Sequence, residues 1–132
     1  AVFTGDILFV GGTPIMWAGP VSNWLAACDH IEALDVDTIV PGHGPLTDKE
    51  GPRQVRRYLE YVRDQASERQ RAGMAAADAA LDIELGEYAD WGDPERIVVN
   101  VESIYSELDP SYTQPPAPVL LGRMGAYLRR HG

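Results

Sequence analysis

The chain has a single cysteine, Cys28, in 132 residues. A disulfide framework and a cysteine-rich zinc module are both excluded by that count. No apolar run approaches the roughly 18 residues that a bilayer span requires, so no membrane segment is expected. The first residues carry no signal-peptide pattern, and a reducing, cytoplasmic setting is the expectation. Excess basic charge is missing as well: 20 acidic against 11 basic side chains leave a formal net charge of −9. Such a balance argues against non-specific attachment to nucleic acid or to an anionic membrane surface. What is present is 45% apolar and 23% charged, the composition of an ordinary globular domain with enough chain to bury a core. The sequence opens Ala1-Val2-Phe3-Thr4 without a methionine, straight into an apolar run. The expectation is that it is a piece of something longer.

Charge is unevenly spread. Residues 1–48 hold six acids and neither Lys nor Arg, while 49–73 hold seven bases and four acids. Residues 74–109 hold ten acids and one base, and 110–132 hold three bases. The basic stretch interleaves acids at helical spacing, Arg56 with Glu60 and Glu68 with Arg71. That is the pattern of a solvated helix face rather than of a nucleic-acid stripe. The acidic stretch that follows is the expected intramolecular complement.

Two β-rich apolar runs, Val2-Phe3-Thr4 and Thr38-Ile39-Val40, each end in glycine-containing punctuation, Gly5-Asp6 and Pro41-Gly42-His43-Gly44. A shorter run, Ile7–Val10, follows the first. Between the two main runs, Ser22 is placed to cap a helix carrying Trp24, Cys28, Ile31 and Leu34 on one face. A strand, a helix and a strand in this length make a βαβ unit with parallel strands. After Pro45 the apolar period becomes that of a helix, with Val55, Tyr58, Leu59, Val62 and Ala66 on one face over 50–72 and Gly73 as its stop. An Ala-rich helix is predicted over 75–83. Asp93-Pro94 caps a further helix bearing Ile97, Val101, Ile104, Tyr105 and Leu108, and Asp109-Pro110 ends it. The proline-rich 110–118 predicts an extended linker. Residues 119–130 form a last amphipathic helix with Leu120, Leu121, Met124 and Leu128.

Ligands in parallel sheets gather at the carboxyl ends of the strands. Asp6 is expected just past one such end and His43 just past the other, so a carboxylate and an imidazole share one rim. The pair suits a borderline divalent metal, and Gly5, Gly42 and Gly44 give the backbone freedom to approach. Taken singly, each has a plainer explanation: a turn aspartate bonding its own backbone, and an ordinary loop histidine. Two donors also fall short of the four that zinc takes. His30 is expected to face solvent, His131 lies next to the terminus, and neither His-x-His nor His-Glu-x-x-His occurs. Cys28 is expected to be an inert buried helix residue.

Thr4-Gly5-Asp6, then Ile7-Leu8-Phe9, Trp24, and Ile39-Val40-Pro41-Gly42-His43-Gly44-Pro45 resemble the C-terminal half of a metallo-β-lactamase-fold metallohydrolase. The later run Arg96–Val101, with Tyr105, Glu107 and Leu108, resembles the helix that closes many members. The resemblance covers about residues 1–109. It implies that Asp6 is the aspartate bridging two divalent metals, zinc by preference, and that His43 is the last histidine ligand of the second metal. Gly42 and Gly44 match the loop that holds it. It also implies a metal-bound hydroxide attacking a carbonyl or phosphoryl centre. The family's His-x-His-x-Asp-His motif and its middle histidine ligand are absent here.

The expected fold class is therefore α/β: the second half of an αββα sandwich, with a small, mainly parallel mixed sheet packed against several helices. The expected organisation is a metallo-β-lactamase-like part over 1–109, a linker over 110–118 and a helical extension over 119–132. The expected function is that of a fragment of a metal-dependent hydrolase for a small-molecule substrate, inactive by itself. Residues 10–20 are the expected substrate loop, with Met16 and Trp17 as pocket wall, or Trp17 as a core anchor. The loop has no Lys or Arg, which favours an ester, thioester, lactone or lactam over a phosphodiester. The alternatives are a mononuclear iron sulfur-oxygenase of the same fold, and a non-catalytic module whose exposed sheet face is covered by a homodimer partner.

Overall fold

A computed structural model describes residues 1–17 and 20–131, without the side chains of residues 6, 7, 8 and 43. The order of elements is β1 (Val2–Phe9), α1 (Val21–Ala33), β2 (Ile39–His43), α2 (Glu50–Arg71), α3 (Ala76–Asp82), α4 (Ile97–Leu108) and α5 (Ala117–His131). Two short 3-10 turns, Gly86–Tyr88 and Pro94–Arg96, join α3 to α4. The class is mixed α/β, and β1 and β2 pair in parallel as expected for a βαβ unit. The turn expected at Gly5-Asp6 is instead a bulge within one continuous strand. Gly5 takes a positive φ of 56°, which bends β1 without ending it.

Helix α2 follows its sequence period closely. Val55, Tyr58, Leu59, Val62 and Ala66 are all buried. The stop at Gly73 is a Schellman closure: the Gly73 N–H donates to the Gln70 carbonyl at 3.0 Å and the Met74 N–H to the Arg69 carbonyl at 3.0 Å. Gly73 adopts φ 83° to make it. The Arg side chains of α2 find acids on α1 and on α3 as well as within α2, where Arg57 bonds Glu50 at 2.6 Å. Arg53 bonds Glu32 at 2.8 Å and Arg56 bonds Asp29 at 2.7 Å. Arg69 reaches Asp82, at the end of α3, at 2.8 Å. These pairs are solvent-screened and add little to stability.

Two expected helix ends are corrected. Ser22 does not cap α1; the helix begins at Val21, after Pro20. The carboxylate of Glu107, on α4, accepts the Val21 N–H at 2.9 Å and the Ser22 hydroxyl at 2.7 Å. A negative group from a distant helix thus satisfies the positive end of α1. Asp93 is not a side-chain cap either: it sits in the left-handed region at φ 59° and its carboxylate pairs with Arg96 at 3.2 Å.

Helix α4 was expected to bury one stripe, but every residue from Ile97 to Tyr105 is buried. It is covered on all sides by α1, α2, α3 and α5, the situation of a central core helix. Its polar residues are accordingly paired. Glu102, 1% exposed, receives Arg123 at 2.8 Å and the hydroxyl of Tyr112. These contacts bring α5 onto the core rather than leaving it an appendage. Helix α5 starts at Ala117, buries Leu120 and Tyr127, and leaves Leu121 and Leu128 outside. Its inner face is thus rotated from the expected stripe, because Tyr127 and not Leu128 turns inward.

Asn100 is wholly buried at the middle of α4. Its carbonyl oxygen accepts the Met16 N–H at 2.9 Å, and its amide donates to the Pro14 carbonyl at 2.9 Å and to the Tyr58 hydroxyl oxygen at 3.0 Å. Ser103, one turn on, donates to the Met16 carbonyl at 2.9 Å. Residues 14–16 are thereby fastened to the central helix. Asn100→Ala strands three buried polar groups at once, and is expected to lower unfolding free energy by about 3 kcal/mol or more in a urea titration. A loss below about 1 kcal/mol would show that the tie is not structural.

Candidate functional site

The strand register sets the geometry of the rim. Val2 pairs with Ile39, Phe3 with Val40, Gly5 with Pro41 and Phe9 with His43. Between the last two pairs, residues 6–8 of β1 stand against Gly42 alone. Asp6 therefore lies within β1 and not past its end, because the bulge at Gly5 lets the strand continue. His43 is the last residue of β2. The two backbones belong to the two strands of one parallel pair, His43 at the end of β2 and Asp6 three residues before the Phe9 that pairs with it. The side chains of Asp6 and His43 lie outside the described residues.

The loop after His43 is pressed against the chain leaving β1. Gly44 has φ 98°, and a Cβ placed there would meet the Val10 carbonyl oxygen at 2.2 Å. Only glycine fits such an approach. Gly5 is different, since its φ favours glycine but a Cβ would meet nothing within 4 Å. One glycine is thus required by both space and conformation, the other by conformation alone.

Residues 10–17 are held from two directions besides Asn100. The Thr13 N–H donates to the Gly92 carbonyl at 2.8 Å and the Gly92 N–H to the Gly11 carbonyl at 3.1 Å. Arg96 donates to the Thr13 carbonyl at 2.9 Å while its guanidinium lies 5.4 Å from the centre of the Phe9 ring. The loop has no cation of its own in sequence, yet the fold brings one to it from 83 residues away. No local pattern signals this, since Arg96 stands in a 3-10 turn before α4. Its donors are engaged by Thr13 and Asp93, so it acts as a brace.

Met16 is wholly buried in the core and presents no surface to a pocket, whereas Trp17 is about half exposed. The Thr13 hydroxyl is buried without a hydrogen-bond partner. Cys28 is buried, and its thiol is pushed up to about 11, first by burial and then by the neighbouring Asp29 carboxylate. It stays a neutral thiol at pH 7 and is no nucleophile. His30 is exposed, and His131 stacks on Tyr127 with ring centres 4.3 Å apart. Among the described residues, no group of three or more His, Cys, Asp or Glu is gathered closely enough to hold a metal.

Residues 1–43 match the family model of the metallo-beta-lactamase superfamily. The match runs over β1, α1 and β2, ends on His43, and takes in 43 of the 132 residues. It supports membership of that superfamily, whose proteins generally bind divalent metals. No curated protein and no solved structure gives a significant match. One carboxylate and one imidazole are fewer donors than a zinc ion takes. By themselves these two do not make a closed metal site, and no catalytic step through a metal follows from this chain alone.

Proposed function

We propose that this chain supplies one wall of the active site of a metal-dependent hydrolase, with Asp6 and His43 as two of the metal ligands. The superfamily match over 1–43 carries the proposal, because it encloses both residues and the parallel strand pair on which they stand. The shortage of donors assigns the remaining ligands, including the His-x-His-x-Asp-His set, to a companion half of an αββα sandwich. The chain alone is then non-catalytic. Two divalent metals, zinc by preference, would supply a hydroxide near neutral pH and stabilise the developing oxyanion when bound.

The chain's own part is positioning. The Gly44–Val10 approach fixes the segment that carries His43, and the Gly5 bulge sets where Asp6 leaves the pairing. The braced loop 10–17, with Trp17 at its exposed end, forms a wall for a small ester, thioester, lactone or lactam. Arg96 is engaged by the loop backbone and is not offered to a phosphate. In the zinc-loaded whole protein that contains these residues, Asp6→Asn and His43→Ala are each expected to lower kcat/KM by more than about 100-fold on such substrates, since even outer-shell partners of metal ligands are worth 10–100-fold. Variants that keep their activity would refute the assignment. Bound iron with oxygen consumption on a sulfur compound would favour the oxygenase of the same fold instead.

A second observation favours self-association. Phe3 is 79% exposed and Leu46 67% exposed. Phe3 pairs with Val40, and the antiparallel bridge of Ile39 with Thr47 sets Leu46 beside that pair. Two large apolar side chains are thus exposed on neighbouring segments at the sheet, where a second copy would cover them. A homodimer partner is proposed to cover them in the isolated chain. Light scattering is expected to give twice the 14.5 kDa of the monomer, and Phe3→Lys to halve it. A monomer at every concentration would contradict the dimer.

A further inference from the structure

The backbone of His43 is tied to β1 at one place. After Gly5 pairs with Pro41 the register shifts, and the next pair is Phe9 with His43. Among the described residues, no other position of β1 is in register with His43. The close approach of Gly44 to the Val10 carbonyl lies one step further along both segments. What fixes Phe9 therefore fixes the backbone that carries the imidazole.

Phe9 is 4% exposed, and the Arg96 guanidinium lies over its ring, 5.4 Å from the centre. That guanidinium has two further partners. It donates to the Thr13 carbonyl at 2.9 Å and pairs with the Asp93 carboxylate at 3.2 Å. A planar cation held by polar partners at its edge can offer its face to an aromatic ring. Asp93 stands in the left-handed region at φ 59°, which aspartate tolerates better than most residues. The turn is braced from behind, since both α4 and α5 pack on Pro94–Arg96. The Arg96 side chain keeps 24% of its surface exposed, so substitution there empties no sealed core position.

We propose that Arg96 is a positioning residue for His43, acting through the Phe9 ring on the pair that sets β1 against the end of β2. The proposal rests on the reading of His43 as a metal ligand only for its consequence in the hydrolase. The placement itself is a property of the metal-free chain. The test is amide hydrogen exchange by ¹⁵N NMR on the metal-free full chain. Exchange is read separately at residues 9–10, 11–13 and 42–44, and at the buried centre of α2. Arg96→Met keeps an unbranched apolar stem and removes the cation. It is expected to speed exchange at 9–10 and 42–44 by more than about tenfold, with α2 changed less than about twofold. Arg96→Lys, which keeps a cation for the ring, is expected to restore most of the lost protection. Phe9→Leu is expected to reproduce the loss at 42–44 while residues 11–13 stay protected, because the Arg96–Thr13 bond survives. Equal acceleration everywhere, α2 included, would reduce Arg96 to general stability and overturn the proposal. Unchanged exchange at 42–44, or acceleration confined to 11–13, would overturn it as well. Such a failure leaves the hydrolase reading standing, whereas activity retained by His43→Ala in the whole protein would end that reading without altering this exchange pattern.

Discussion

One buried carboxamide holds the part of this molecule that matters most. Asn100 has no exposure and serves three partners from two segments, Pro14 and Met16 in the loop leaving β1 and Tyr58 in the core of α2. A buried amide is costly unless its donors and acceptors are met, so the geometry that meets them is selected over others of similar burial. Ser103 repeats the bond to Met16 one turn along. The loop that follows β1 is therefore a rigid wall, although half of its residues are glycine, proline or small polar residues that fix little by themselves. The end of β1, and with it the rim shared with β2, inherits that rigidity.

Two carboxylates on the same helix do comparable work at longer range. Glu107 satisfies the start of α1, and Glu102 anchors α5 through Arg123 and Tyr112. Acidic residues in the stretch 74–109 thus act as attachment points as well as surface charge. Breaking the Glu102 pair by removing Arg123 would leave a charge in a 1% exposed position, a far larger penalty than the loss of a surface ion pair. Helix α4 is consequently the hub on which the other helices are assembled.

Elements governed by local rules were legible in the sequence. The period of α2, the glycine that ends it and the parallel pairing of the two β-rich runs follow from side-chain spacing and backbone preference alone. What escaped was set by contacts between distant residues. Ser22 looked like a cap because its type fits, yet a carboxylate 85 residues away takes its hydroxyl. Asp6 looked like a turn residue because Gly5 precedes it, yet a single positive φ can make a bulge as well as a turn. The single stripe expected of α4 failed because a helix surrounded by four others buries every face, and its Asn, Glu and Ser were hidden only by having partners. Arg96 could not be assigned to the 10–17 loop because nothing near it in sequence points there.

For the site itself, residue types and order pointed to the rim; the register pairs His43 with Phe9 at the end of β1 and leaves Asp6 inside the strand, next to the Gly5 bulge. The imidazole and the carboxylate must converge on a common ion for the account to stand. Paramagnetic broadening by manganese(II) in ¹⁵N-labelled protein tests this most directly, because it reports proximity to a bound cation without requiring activity. The account predicts that amides around residues 6 and 43 broaden together at the same metal concentration, and that Asp6→Asn abolishes both effects. Broadening at only one of the two segments, or centred on the acidic stretch 74–109, would contradict it.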